Sequence, residues 1–150
     1  MKVKFRIPGK VQGKARARTY YDSHIGGYKS ITPNQTASYE NLVKLIYDQE
    51  CQGTRWFDKE PLRVLIIANY GIAKSTSKKD RKLIEEGKLY PTKKPDADNI
   101  AKIICDALNK VAYGDDTQII KLVVWKLYTP KEPYVEVTIG DIEDGKREQY

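Results

Sequence analysis

Residues 62–68 of this 150-residue chain read Leu62-Arg63-Val64-Leu65-Ile66-Ile67-Ala68 and are the strongest indication of its architecture. This stretch is apolar apart from Arg63, and its apolar side chains do not alternate with polar ones. Such a run is typical of a strand at the centre of a sheet, buried on both faces. The sequence therefore predicts a sheet with this strand inside it and helices packed on it.

The segments before this strand have simpler patterns. Val3, Phe5 and Ile7 alternate with basic residues, which predicts a half-buried strand that ends at Pro8-Gly9. Apolar residues at helical spacing predict a helix from Ala37 to Glu50, capped by Thr36 or Ser38. Between them, residues 23–34 show no periodicity and are expected to form an exposed loop.

The segments after it complete an α+β fold. A short surface helix is expected within Ser75 to Lys88, and a longer helix over residues 98–111. Two strands follow, Gln118 to Tyr128 and Tyr134 to Ile139. We expect a single domain over residues 1–150, with one mixed sheet of about four or five strands, packed helices, and a charged tail, residues 141–150, that is disordered.

Composition excludes several classes of protein. The chain is 40% hydrophobic and 31% charged, it lacks the roughly 18 consecutive apolar residues of a membrane helix, and its start does not have the pattern of a signal peptide. We therefore expect a cytoplasmic protein. Cys51, Cys105 and His24 do not have the spacing of a metal site, so the two thiols are expected to be reduced.

The net charge of +7 is concentrated near the N-terminus. Residues 1–30 contain one acidic residue, Asp22, and eight basic ones: Lys2, Lys4, Arg6, Lys10, Lys14, Arg16, Arg18 and Lys29. In an extended segment from Gln12 to Tyr20, alternation places Lys14, Arg16 and Arg18 on one side. Such a segment suits nucleic acid or an anionic membrane surface, or else it protects a sheet edge.

Residues 93–118 carry the candidate chemistry. They contain five aspartates and no glutamate: Asp96, Asp98, Asp106, Asp115 and Asp116. On a helix of about 100° per residue, Asp98, Lys102 and Asp106 share one face, opposite the apolar side. The carboxylates of Asp96 and Asp98 can meet those of Asp115 and Asp116 only if the strand that follows returns beside this helix.

Structural roles are an alternative for each of these residues. Asp98 could be an N-cap, Asp115-Asp116 a turn, and Lys102 with Asp106 an exposed ion pair. However, aspartate is a poor residue for a helix interior, whereas short carboxylates suit a hard cation such as Mg²⁺ shared with a phosphate. Lys102 would then supply positive charge to the scissile phosphate. The alternatives remain open at this point.

Three motifs in this segment resemble the RusA family of Holliday junction resolvases. They are Lys94-Pro95-Asp96-Ala97-Asp98-Asn99-Ile100-Ala101-Lys102, then Asp106-Ala107-Leu108, and Asp115-Asp116-Thr117-Gln118-Ile119, in the family's order and near its spacing. Phe5-Arg6-Ile7-Pro8-Gly9 is similar to the family's first strand, and the resemblance extends from about Lys2 to Ile139. Where some members have an arginine before the first aspartate, this chain has Lys93, Lys94 and Pro95.

The resemblance implies a homodimeric, Mg²⁺-dependent endonuclease, typical of bacteria and their phages, that nicks four-way DNA junctions symmetrically. Mn²⁺ is an alternative cation. The implied catalytic residues are Asp96, Asp98, Lys102 and Asp116; Asp96, Asp98, Asp115 and Asp116 would hold metal, with Asp106 and Asn99 in support. The cations expected to bind DNA are Lys10, Lys14, Arg16, Arg18, Lys93 and Lys94.

Two other functions remain compatible with the sequence. One is a DNA-binding accessory module without catalysis, in which the acidic segment is structural. The other is a nuclease on other branched nucleic acids, such as flaps, replication forks or RNA.

Overall fold

A computed structural model describes residues 1–142. Its order is β1 (Lys2–Pro8), β2 (Arg18–Asp22), β3 (Gly27–Ile31), α1 (Asn34–Cys51), β4 (Leu62–Gly71), α2 (Lys78–Glu85), α3 (Ala97–Leu108), β5 (Ile119–Thr129) and β6 (Tyr134–Asp141), with a 3₁₀ turn at Asp116–Gln118. These elements confirm the predicted α+β class.

The main sheet has four strands in the order β1-β6-β4-β5. Strand β4 is antiparallel to β6 and parallel to β5, so the sheet is mixed. The predicted central position of β4 is confirmed, but its burial alternates: Val64 and Ile66 are buried, whereas Leu65 and Ile67 are half-buried. The expectation of burial on both faces is wrong because the packed helices α1 and α3 cover only one face of the sheet.

The core lies between that face and the two helices. It contains Phe5, Val43, Ile66, Ile104 and Val137, together with other fully or nearly buried apolar side chains. Helix α3 follows the predicted apolar pattern closely, although it ends at Leu108 rather than at residue 111. Its buried side fixes its rotation, so the opposite side is presented to solvent.

The region between β1 and α1 differs from the prediction. Residues 27–31 form a strand that pairs with β2, so the expected loop is half of a hairpin. We call this hairpin, Arg18–Ile31, the arm. Nearly all its residues are exposed, including Tyr21 and Tyr28, which face each other across the two strands. Short strands held by their own turn carry little apolar periodicity, which is why the pattern was not visible in the sequence.

Two smaller predictions need correction. Helix α1 begins at Asn34 after Pro33, with no side-chain cap, so neither Thr36 nor Ser38 caps it. Asp141 is the last residue of β6, where its carboxylate accepts hydrogen bonds from the Met1 ammonium and the Trp56 indole. The expected disorder of the tail is therefore wrong at Asp141, and residues 143–150 lie outside the described residues.

No helix among the described residues is long and apolar enough to cross a membrane. Cys51 and Cys105 are buried free thiols, in agreement with the sequence prediction.

Candidate active site

The first carboxylate pair lies where α3 begins. Asp96 occupies the N-cap position, but its side chain makes no capping hydrogen bond. Asp98 lies in the first helical turn, and both residues are exposed. Among residues 1–142 neither carboxylate has a hydrogen bond or ion pair. The alternative that Asp98 is merely an N-cap is therefore wrong, and both carboxylates have oxygens available for a ligand.

A cleft of about 300 Å³ opens beside Asp96. It is lined by Lys10, Gln12, Gly13, Lys14, Lys94, Pro95, Asp96 and Asn99. Three lysines and a carboxylate therefore share one concave surface, which suits a phosphate accompanied by a cation.

Residues 9–17, which we call the strap, form one wall of this cleft. The Lys14 N–H donates to the Asn99 carbonyl oxygen at 2.9 Å, and the Ala15 N–H donates to Thr36 Oγ1 at 3.3 Å. Gly13 allows this close approach, because a Cβ there would lie 2.6 Å from Pro95 Cβ. The strap thus holds the root of the arm against the start of α3.

The ion pairs along the exposed side of α3 include Lys14 of the strap, which the sequence did not place beside this helix. Lys102 Nζ lies 3.6 Å from Asp106 Oδ2, as expected for residues four apart on a helix. Lys14 Nζ lies 3.3 Å from the same oxygen and 2.6 Å from Glu40 Oε1 on α1. The alternation that placed Lys14 on one side with Arg16 and Arg18 is wrong for Lys14, because its side chain turns inward between the two helices.

The protonation of Lys14 reflects this position. Burial lowers the pKa of Lys14, but hydrogen bonds and charge from Glu40, and then from Asp106, outweigh it and raise the pKa above its usual value. Lys14 is therefore a fixed internal cation at neutral pH. Glu40 was missed in the sequence, because one glutamate on an amphipathic helix carries no local signal.

The second carboxylate pair lies beyond the end of α3. Asp115 caps the 3₁₀ turn, where its side chain accepts from the Thr117 N–H at 3.1 Å. That backbone hydrogen bond lowers the pKa of Asp115, whereas a hydrogen bond with Asp115 raises the pKa of Asp116. The charges that act on Asp116 include those of Asp106 and Lys102. The turn predicted as the alternative role for Asp115 is thus present.

The second pair follows α3 in the chain, at the 3₁₀ turn that precedes β5. Strand β5 does return beside α3, but Asp116 lies just before its start, near the C-terminal half of the helix. Within residues 1–142, no three His, Cys, Asp or Glu side chains come close enough to hold one ion. Each pair offers the carboxylate oxygens that a hard cation such as Mg²⁺ takes, with water and phosphate as further ligands.

Of the remaining predicted cations, Lys93 lies near the first pair. The Lys93 ammonium lies 5.9 Å from the centre of the Tyr70 ring and 5.8 Å from that of Tyr128, and Tyr70 Oη donates to the Pro95 carbonyl oxygen at 3.2 Å. Burial raises the pKa of Tyr70 to about 12, so this donor keeps its proton at neutral pH. Arg16 and Arg18 are exposed at the base of the arm.

A mixed sheet that carries carboxylates beside a lysine-lined cleft suits a protein that acts on phosphodiesters. Residues 8–140 match the family described as Endodeoxyribonuclease RusA, and the chain belongs to this family. The resemblance predicted from the sequence is confirmed, and with it the enzyme class of endodeoxyribonuclease at the level of the family. The chain is also similar to a protein of Bacillus subtilis (strain 168) named "Uncharacterized protein YqaN", with 32% identity over 140 residues, 93% of this chain and 96% of that protein.

Proposed function

We propose that this protein is a Mg²⁺-dependent endonuclease that resolves four-way (Holliday) DNA junctions by paired symmetric nicks. The observation that carries the proposal is the pair Asp96 and Asp98, whose oxygens have no partner in residues 1–142, beside a cleft that contains Lys10 and Lys94. A carboxylate pair repels a phosphodiester unless a cation lies between them. A nicking assay on a labelled junction, with Mg²⁺ or with EDTA, tests the proposal: nicks in both conditions would contradict the metal dependence.

In this proposal Asp96 and Asp98 hold a divalent cation at the cleft, and Asp115 and Asp116 provide a second acidic position. A bound Mg²⁺ would lower the pKa of a water molecule and stabilise charge on phosphate oxygens. Mn²⁺ has the same preference for oxygen ligands and is expected to substitute. Lys102 is 62% exposed, so its ammonium can reach a phosphate laid along the exposed side of α3.

We assign DNA affinity mainly to the cations around the cleft and the arm: Lys10, Arg16, Arg18, Lys93 and Lys94. Replacing Arg16 and Arg18 together with alanine is expected to weaken junction binding and to reduce the slope of log K against log salt by about 1.8, since each contacted phosphate contributes about 0.9. Cleavage at saturating protein should be largely preserved. Fluorescence anisotropy over a salt series measures both quantities, and an unchanged slope would remove the base of the arm from the DNA surface.

We also propose a two-fold homodimer, because a symmetric junction needs two equivalent nicks. The surface we assign to a second copy is the edge of β5 that pairs with no other strand among residues 1–142; β5 is an 11-residue strand without proline that exposes Ile120, Leu122 and Trp125. Edge strands of this kind pair with other chains, whereas the opposite edge, β1, is protected by its lysines and Arg6.

Sedimentation is expected to give a dimer for the unaltered chain and a monomer for Trp125→Lys. Phe57→Lys is the matched control, since Phe57 is 52% exposed and Trp125 53%. A monomeric unaltered chain, or a Trp125→Lys variant that remains dimeric, would contradict the assigned contact.

A further inference from the structure

Glu40 and Lys14 form an ion pair outside the residues that we assign to the metal and to the phosphate. The pair connects α1, the strap and α3, because Lys14 also contacts Asp106. Among the four charged side chains Glu40, Lys14, Asp106 and Lys102, this pair is the least exposed. The side chains of Glu40 and Lys14 are 15% and 21% exposed, against 62% for Lys102. Well-shielded pairs of this kind fix geometry more than exposed ones do.

We propose that Glu40 is a positioning residue for DNA cleavage, which acts through Lys14 and Asp106 to set the place and the free charge of Lys102. This inference rests on the proposed function. It differs from the sequence-based assignment of Lys14, which placed that lysine directly on DNA.

The physical reason lies in the alternation of charge along the four side chains. From α1 outward they are Glu40, Lys14, Asp106 and Lys102, so that each charge has an opposite neighbour. The ammonium nearest to Asp106 Oδ2 is that of Lys14, at 3.3 Å, and the Lys102 ammonium lies 3.6 Å from the same oxygen. Because Lys14 already compensates the Asp106 carboxylate, Lys102 is less tightly bound to it and can contact a phosphate.

Glu40 keeps Lys14 in that place. Without the Glu40 charge, Lys14 would lose its 2.6 Å partner, and nothing else described would hold its ammonium between the helices except Asp106. The Lys14 backbone N–H donates to the Asn99 carbonyl oxygen near the first carboxylate pair, so the residue that Glu40 holds by its side chain is also part of the wall of the cleft.

The sign of the effect on DNA binding separates positioning from direct contact. Glu40→Gln removes a negative charge, so its electrostatic effect on DNA affinity is neutral or favourable. We expect junction affinity equal to or tighter than that of the unaltered chain, with a cleavage rate at saturation about tenfold lower. A structural defect alone would lower affinity, rate and melting temperature together.

Lys14→Gln is the second variant and keeps the proposal testable if Glu40→Gln does not fold. If Lys14 is an internal bridge, its loss leaves the salt slope of junction binding unchanged, whereas a direct phosphate contact would reduce the slope by about 0.9. The double variant should cleave no more slowly than Lys14→Gln alone, because both changes break one unit. Asp48→Asn is the matched control. Asp48 lies on α1, like Glu40, and pairs with Arg55, so this variant loses an ion pair of the same helix and should cleave normally.

The experiment measures melting temperature, junction affinity over a salt series and single-turnover cleavage for these four variants. We expect Glu40→Gln and Lys14→Gln each to lower the cleavage rate without a change in the salt slope of junction binding. The rate losses of the two changes should not add in the double variant. A normal rate in Glu40→Gln, a slope reduced by about 0.9 in Lys14→Gln, or additive losses would each overturn the positioning role. If the unaltered chain fails to cleave the junction, the proposed function fails instead, so the two failures are distinguishable.

Discussion

Asp98→Asn is expected to lower the rate of Mg²⁺-dependent cleavage of a four-way junction by about 10³-fold or more. In a nicking assay this appears as the loss of detectable cleavage. Asparagine keeps the shape of the side chain but removes the charge that a hard cation requires. Junction binding should persist, because the basic cleft and the arm are unchanged. Asp96→Asn and Asp116→Asn are expected to behave in the same way, measured by single-turnover cleavage and by anisotropy.

Asp80→Asn is the matched control for Asp98→Asn. Each residue is the acidic residue in the first turn of its helix, α2 for Asp80 and α3 for Asp98. Both changes should therefore cost a similar stability, about 0.3–1 kcal/mol, through the helix dipole. Only Asp98→Asn should abolish cleavage, and a normal rate in that variant would remove this carboxylate from the metal site.

Lys102→Ala is expected to lower the cleavage rate by about 10²-fold or more while it weakens junction binding far less. The reason is that a cation aimed at the scissile phosphate acts most strongly when charge develops there. Lys102→Arg should rescue only in part, because a planar guanidinium does not replace a compact ammonium. Rapid-quench kinetics and anisotropy give the two quantities.

Lys79→Ala removes an equal charge from an exposed position on α2 and serves as the control for Lys102→Ala. It should leave the rate at saturation unchanged. Equal losses of rate and affinity in Lys102→Ala would make this lysine an ordinary contact to the DNA backbone.

The main elements of the fold were predictable because burial leaves a pattern of apolar residues. Helix α3 was located by the helical spacing of side chains such as Ile104, and strand β4 by the continuous apolar run that contains Ile66. The open face of the sheet was not predictable, since half-buried Leu65 and Ile67 look the same in a sequence as fully buried residues. The arm was missed for a related reason, because residues exposed on both faces of a hairpin need no alternation.

The site was predictable in composition but not in arrangement. The choice of aspartate and the helical spacing placed Asp98, Lys102 and Asp106 on one side of α3. Spacing cannot show where a flexible lysine points, so the inward turn of Lys14 to Glu40 depended on how α1 packs on α3. The position of Asp116 also depends on tertiary structure, namely on where β5 begins beside the helix.

The most direct test of the central claim is a nicking assay that compares a labelled four-way junction with a linear duplex of matched sequence. The reactions contain Mg²⁺ or EDTA, and Asp98→Asn serves as the inactive control. We expect nicks at symmetry-related positions in two opposing strands of the junction, only with Mg²⁺, and no comparable cleavage of the duplex. Equal cleavage of junction and duplex, or no cleavage of the junction by the unaltered chain with Mg²⁺, would contradict the central claim.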